Sequence, residues 1–149
     1  MSQRLDYRKA SPQAVEALLN TEACVRRSGL EPALLELVKM RASQINGCAF
    51  CLDMHSRDAR KAGETEQRLY VLSAWRETTL FSDRECAALA WTEAVTCIAS
   101  DGVPDAVYAQ AREQFSEKEL VDLTLAVIAI NSWNRMAITF HAKLPKAAS

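Results

Sequence analysis

Glycine and proline are scarce in this 149-residue chain, at four each. A turn-rich β architecture, which needs them at its tight connections, is therefore excluded as an expectation. No sign of charge dominates: the formal net charge is −1, with acidic and basic residues interleaved. That leaves no electrostatic footprint for nucleic acid and no polybasic patch for a membrane surface. The longest apolar run, around Leu123 to Ile130, is too short to span a bilayer. The N-terminal stretch Met1-Ser-Gln-Arg-Leu-Asp-Tyr-Arg-Lys9 lacks the apolar centre of a signal peptide. These absences lead us to expect a cytoplasmic protein. At this length one domain, residues 1–149, is the simplest organisation.

Punctuation divides the chain into helices. Ser11-Pro12 reads as an N-cap followed by proline at the first helical position, opening a helix to about Arg27 that Gly29 ends. Pro32 opens a second helix, and Asn46-Gly47 breaks it. A third runs from there to Gly63, and a short one from Thr65 to about Trp75. Ser82-Asp-Arg-Glu85 and Ser116-Glu-Lys-Glu119 are capping boxes. The first opens a helix through Leu89, Trp91 and Val95; the second opens one reaching toward Phe140. Pro104 starts another between them, to about Phe115. The expected fold is all-α, a compact bundle of about seven helices, with a frayed tail from Leu144 to Ser149.

Five cysteines, an odd count, do not suggest a structural disulfide framework. Cys24, Cys86 and Cys97 stand alone and are expected to be small buried apolar residues. Trp91 is expected in the core and Glu93 at the surface. Cys48 and Cys51 differ, because with His55 they form C-x-x-C-x-x-x-H. Positions i, i+3 and i+7 fall in one narrow arc of a helix, with Phe50 and Leu52 packed away from it. Two thiols and an imidazole there form a redox pair with a base beside it. The Asn46-Gly47 break places Cys48 near a helix N-terminus, where the dipole favours thiolate. His55, one turn after Cys51, is placed to take that thiol's proton. Glu36, twelve residues before Cys48, could orient or charge the histidine.

Other uses of the pattern fit less well. Structural zinc would need His141 as a fourth ligand, and three ligands strung over two turns of one helix converge poorly. Attachment of c-type haem needs histidine where Leu52 stands. A thioredoxin fold needs strands. No G-x-G-x-x-G or phosphate-loop pattern occurs, so no metal, flavin or nucleotide cofactor is expected.

The stretch Glu36-Leu-Val-Lys-Met-Arg-Ala-Ser-Gln-Ile-Asn-Gly-Cys48-Ala-Phe-Cys51-Leu-Asp-Met-His55 resembles the core motif of alkylhydroperoxidase D-like proteins, within the carboxymuconolactone decarboxylase superfamily. The match is E-x11-C-x-x-C-x-x-x-H, and Asp58-Ala-Arg-Lys-Ala-Gly63 after it is also typical. Asn131-Ser-Trp-Asn134-Arg135 looks like the late-helix signature of one subgroup. The resemblance implies an all-helical fold, trimers or hexamers, and thiol-dependent peroxidase or disulfide-exchange activity. Its expected partners are an organic hydroperoxide and a dithiol reductant protein. Glu36, Cys48, Cys51 and His55 match the family's proton relay and redox pair. Asn131, Trp133 and Asn134 would line the substrate pocket, knit a subunit interface, or make helix-packing polar contacts with no substrate role. Phe50 stands where some peroxidase members carry a second histidine. Members that decarboxylate a lactone generally lack the cysteine pair. A lactone-decarboxylating lyase is one rival reading; a non-enzymatic redox sensor or assembly subunit is another. Of the two sulfurs, Cys51 beside His55 is expected to attack and Cys48 to resolve.

Overall fold

A computed structural model describes residues 2–145. The part of the expected frayed tail at 146–149 lies outside the described residues. Helices α1 (Tyr7–Ala10), α2 (Pro12–Arg26), α3 (Pro32–Asn46), α4 (Ala49–Lys61) and α5 (Glu66–Val71) come first, and a 3-10 segment (Leu72–Glu77) extends α5. Then follow α6 (Asp83–Thr96), α7 (Ile98–Asp101), α8 (Asp105–Gln114) and α9 (Glu117–Thr139). Among the described residues there is no strand. The seven expected helices are present. Two four-residue helices, α1 and α7, join them; each is too short for an apolar period to announce.

Local chemistry sets the boundaries. Both capping boxes form, with Ser82 and Ser116 accepting from the third helical N–H while Glu85 and Glu119 reach back. Ser11 occupies the N-cap of α2 but makes no side-chain capping bond; Pro12 alone marks that start. Gly47 ends α3 at φ 68°, a left-handed conformation that costs glycine little.

α3 is the central element, packed against α4, α6 and α9. Leu37 and Val38 are fully buried on it, as are Leu123, Val127 and Ile130 on α9. A small cluster joins the cysteines to α9: Ala42, Cys48, Cys51, Ile130 and Ala137. The cysteine motif is thus set in the α3–α4–α9 core and not in a loop.

The isolated cysteines depart from expectation. Cys24 and Cys97 are exposed and Cys86 is half-buried. Cys24 lies on the solvent side of α2, and Cys97 is the C-cap of α6, where the chain turns outward. Trp91 is buried as expected. Glu93 is not a free surface residue, since it accepts from Arg41 Nε (2.8 Å), Trp75 Nε1 (2.9 Å) and Arg76 Nη1 (2.6 Å).

Candidate active site

The turn between α3 and α4 builds the site. After Gly47 the backbone N–H of Cys48 returns to the Ser43 carbonyl (3.0 Å), and the Cys48 carbonyl accepts from Leu52 N–H (2.9 Å). Cys48 is therefore the N-cap of α4, just outside the helix in extended conformation. Cys51 and His55 follow on the buried face of α4. The sulfurs of Cys48 and Cys51 are 2.7 Å apart, close enough to share one proton, and both are almost completely buried.

The shared proton decides the acidity of the pair. The Cys51 thiol, hydrogen-bonded to Cys48, is the main influence that brings Cys48 down to about 7. Burial opposes this, while the Cys51 backbone N–H, the Asn134 amide and the His55 charge add to it. Cys51 moves up, because it holds the proton that Cys48 shares and because it is buried. The thiolate thus falls on Cys48, where the argument from His55 places it on Cys51. The shared proton and the Cys51 backbone N–H place it there, and the His55 charge favours Cys48 as well.

His55 Nδ1 lies 2.8 Å from Glu36 Oε2. Burial pushes the Glu36 carboxyl up, but the His55 hydrogen bond and the His55 and Lys39 charges outweigh it and hold Glu36 low. Lys39 Nζ is 3.6 Å from Glu36 Oε1 and 3.1 Å from Glu22 Oε2. Lys39 and Glu22 are both buried. Neither was singled out in the sequence. The i, i+3 spacing of Glu36 and Lys39 was a local signal for one contact; Glu22 comes from α2 and has none.

A cavity of about 630 Å³ opens on this cluster. Cys51, His55, Glu36 and Lys39 are in its wall, and Cys48 lies behind Cys51. Phe50 also lines it, against the expectation that it packs away. Cys51 and Phe50 are adjacent at the start of α4, where the first turn is open to α2 and α9.

The late-helix residues divide. Trp133 is in the cavity wall. Asn131 and Asn134 are not; they are buried behind the cysteines in a polar network. Asn46 Nδ2 donates to Asn131 Oδ1 and Asn134 Oδ1, each at 2.9 Å, and Asn134 Nδ2 donates to Ser43 Oγ (3.0 Å). Their i, i+3 spacing turns both toward α3, while Trp133 between them faces α1 and the cavity. His141, the possible fourth zinc ligand, sits beyond α9 with Nδ1 3.2 Å from the Ser2 carbonyl, away from the cysteine pair.

An all-helical bundle carrying C-x-x-C, histidine and glutamate around one cavity defines a class. Residues 12–94 match the Carboxymuconolactone decarboxylase family, and the chain belongs to it as an alkylhydroperoxidase D-like member. The chain is 47% identical over 138 residues to YdfG of Bacillus subtilis, an uncharacterized protein, covering 93% of this chain and 94% of YdfG. Its fold matches a protein of unknown function from Agrobacterium tumefaciens, described as a candidate antioxidant defence protein AhpD. That match has a TM-score of 0.94 and 45% identity, covering 97% of this chain and 99% of the other. An uncharacterized peroxidase-related protein of Ralstonia eutropha JMP134, described as an alkylhydroperoxidase AhpD core, shares the fold at TM-score 0.82 and 19% identity, over 94% and 75% of the two chains. No helix among the described residues is long and apolar enough to cross a membrane.

Proposed function

We propose that this chain is a thiol-dependent peroxidase that reduces organic hydroperoxides with Cys48 and Cys51 and is recycled by a dithiol partner. One observation carries the reading: a cavity walled by Cys51 and His55, with a second sulfur 2.7 Å behind the first. Access selects Cys51 as the attacking sulfur, while acidity suits Cys48 to the roles of resolving nucleophile and leaving group.

The reduced site begins with a thiolate on Cys48, a thiol on Cys51 and a protonated His55 beside Glu36. The Cys51 proton crosses to Cys48, which moves the charge to the sulfur facing the cavity. Cys51 attacks the terminal peroxide oxygen and the O–O bond breaks. The departing alkoxide takes the His55 proton and leaves as an alcohol, and Cys51 becomes a sulfenic acid. His55 then removes the Cys48 proton, Cys48 attacks the Cys51 sulfur, and hydroxide leaves with the His55 proton as water. The result is a Cys48–Cys51 disulfide, one alcohol and one water per hydroperoxide. One thiol of a partner dithiol attacks Cys51 from the cavity and expels Cys48; the partner's second thiol then attacks its own sulfur in that mixed disulfide, which releases Cys51 as a thiol and leaves the partner as a disulfide.

The test is steady-state turnover of organic hydroperoxides with a panel of dithiol reductants, on wild type and Cys51→Ser. Turnover lost in the variant supports the proposal. No turnover of any hydroperoxide with any reductant, or activity toward small lactones that survives loss of both cysteines, overturns it.

A further inference from the structure

We infer that the cavity takes an amphipathic anion: a molecule with an apolar body and a carboxylate, held by Arg8 and Arg26. This deepens the peroxidase reading by naming the chemical class of its substrate.

Size comes first. A volume of about 630 Å³ suits a ligand of many heavy atoms, whereas hydrogen peroxide needs little more than the ~30 Å³ of one water. The wall is predominantly apolar: Leu19, Leu35, Phe50, Met54 and Trp133 face the space. Leu19 and Met54 remain 48% and 37% exposed, large apolar side chains left without cover at the cavity.

Charge comes second. Every carboxylate in the wall already has a partner. Glu22 has Lys39 at 3.1 Å, Glu36 has His55 at 2.8 Å, and Asp58 has Lys61 at 3.7 Å. Asp6, next to the α1 helix, is taken by Lys9 at 3.8 Å. Among the described residues neither Arg8 nor Arg26 has a carboxylate within ion-pair distance, and both line the cavity. Arg8 is also held in place: its guanidinium carbon is 5.7 Å from the Trp133 ring centre and 5.5 Å from that of Tyr7. These cation–π contacts leave its N–H donors without a protein acceptor among the described residues, open to a planar carboxylate. Cations at the cavity and a thiol at its wall fit a carboxylated hydroperoxide whose apolar body lies on Trp133 and Phe50.

Calorimetric titration of the reduced wild-type protein with octanoate and with 1-octanol tests binding without requiring turnover. Octanoate should bind roughly tenfold more tightly than the alcohol at low ionic strength, and the preference should shrink as salt screens the guanidinium groups. It should fall to about threefold or less in Arg8→Gln/Arg26→Gln, and take an intermediate value in Arg8→Lys/Arg26→Lys, which keeps the charges but loses the planar fork. Equal affinities, no binding of either compound, or a preference retained in the glutamine variant overturns the inference. If the glutamine variant fails to fold, the salt series on wild type decides: a salt-independent ratio overturns it. Turnover of cumene hydroperoxide against its para-carboxylate separates the two proposals. Octanoate preference without turnover of either leaves the anion site standing and the peroxidase reading overturned. Turnover of both at equal kcat/KM, with no octanoate preference, does the reverse.

Discussion

His55 Nδ1 and Glu36 Oε2 meet at 2.8 Å across the α3–α4 packing, although nineteen positions separate them in the chain. The contact fixes the imidazole by one ring nitrogen and leaves the other for chemistry at the cavity. Lys39 and Glu22 continue the alternation of charges behind it. Glu36 is therefore held ionised and oriented by His55 on one side and Lys39 on the other.

Replacing Glu36 by Gln should slow peroxide-driven oxidation by roughly 10²-fold, the lower range for loss of acid–base assistance. It should not prevent the Cys48–Cys51 disulfide, whose geometry is independent of Glu36. Stopped-flow oxidation gives the rate. Mass spectrometry after alkylation should still show the loss of two hydrogens in the peptide holding both cysteines. Pairing through Cys24, Cys86 or Cys97 instead would contradict the assignment.

Trapping sulfenic acid with a dimedone-type probe separates access from acidity. Cys48→Ser should accumulate sulfenic acid at Cys51, because Cys51 still faces the cavity and nothing resolves it. Cys51→Ser should label slowly at Cys48. Fast labelling of Cys48 with little at Cys51 would exchange the two roles.

Alkylation within the peptide holding Cys48 and Cys51 of the reduced protein, resolved by mass spectrometry from the exposed Cys24 and Cys97, should rise with pH with a midpoint near the Cys48 value of about 7, since only thiolate reacts. The same shift acts on stability. The folded pKa of Cys48 lies below the ordinary thiol value of 9.0, so its contribution is complete above that value. It is lost as pH falls through about 7. Cys51, shifted upward, opposes this only above the ordinary value. Reduced protein should therefore gain stability between these limits relative to the disulfide form, as denaturant titrations at each pH would show. A flat difference would argue against a native thiolate at Cys48.

Asn134→Leu removes one of the two acceptors of Asn46 Nδ2 and the donor to the buried Ser43 Oγ. Leaving the buried Ser43 hydroxyl without that donor should cost roughly 1–3 kcal/mol in urea unfolding. The variant also loses the amide that lowers Cys48, so its alkylation profile should move to higher pH. A stability loss with no change in that profile would limit Asn134 to packing.

The homo-oligomer expected from the family resemblance, a trimer or hexamer, should be visible in light scattering. A single 16.6 kDa species across micromolar concentrations would rule it out.

Much of this protein is determined by the sequence itself, because helix starts and stops are local chemistry. The capping boxes at Ser82 and Ser116, the prolines at 12 and 32 and the glycine at 47 each act over four residues or fewer, so their helices could be read without knowing any neighbour. The spacing of Cys48, Cys51 and His55 is local in the same sense. The family pattern supplied Glu36. Tertiary structure decided what depends on which elements face one another. It turned Phe50 and Trp133 into the cavity while putting Asn131 and Asn134 behind the sulfurs, and it brought Glu22 from α2 to the buried Lys39. It also set the sulfurs 2.7 Å apart at the helix start, which moved the thiolate to Cys48. Burial and proton sharing depend on distance and local dielectric, and neither is encoded in spacing along a single helix.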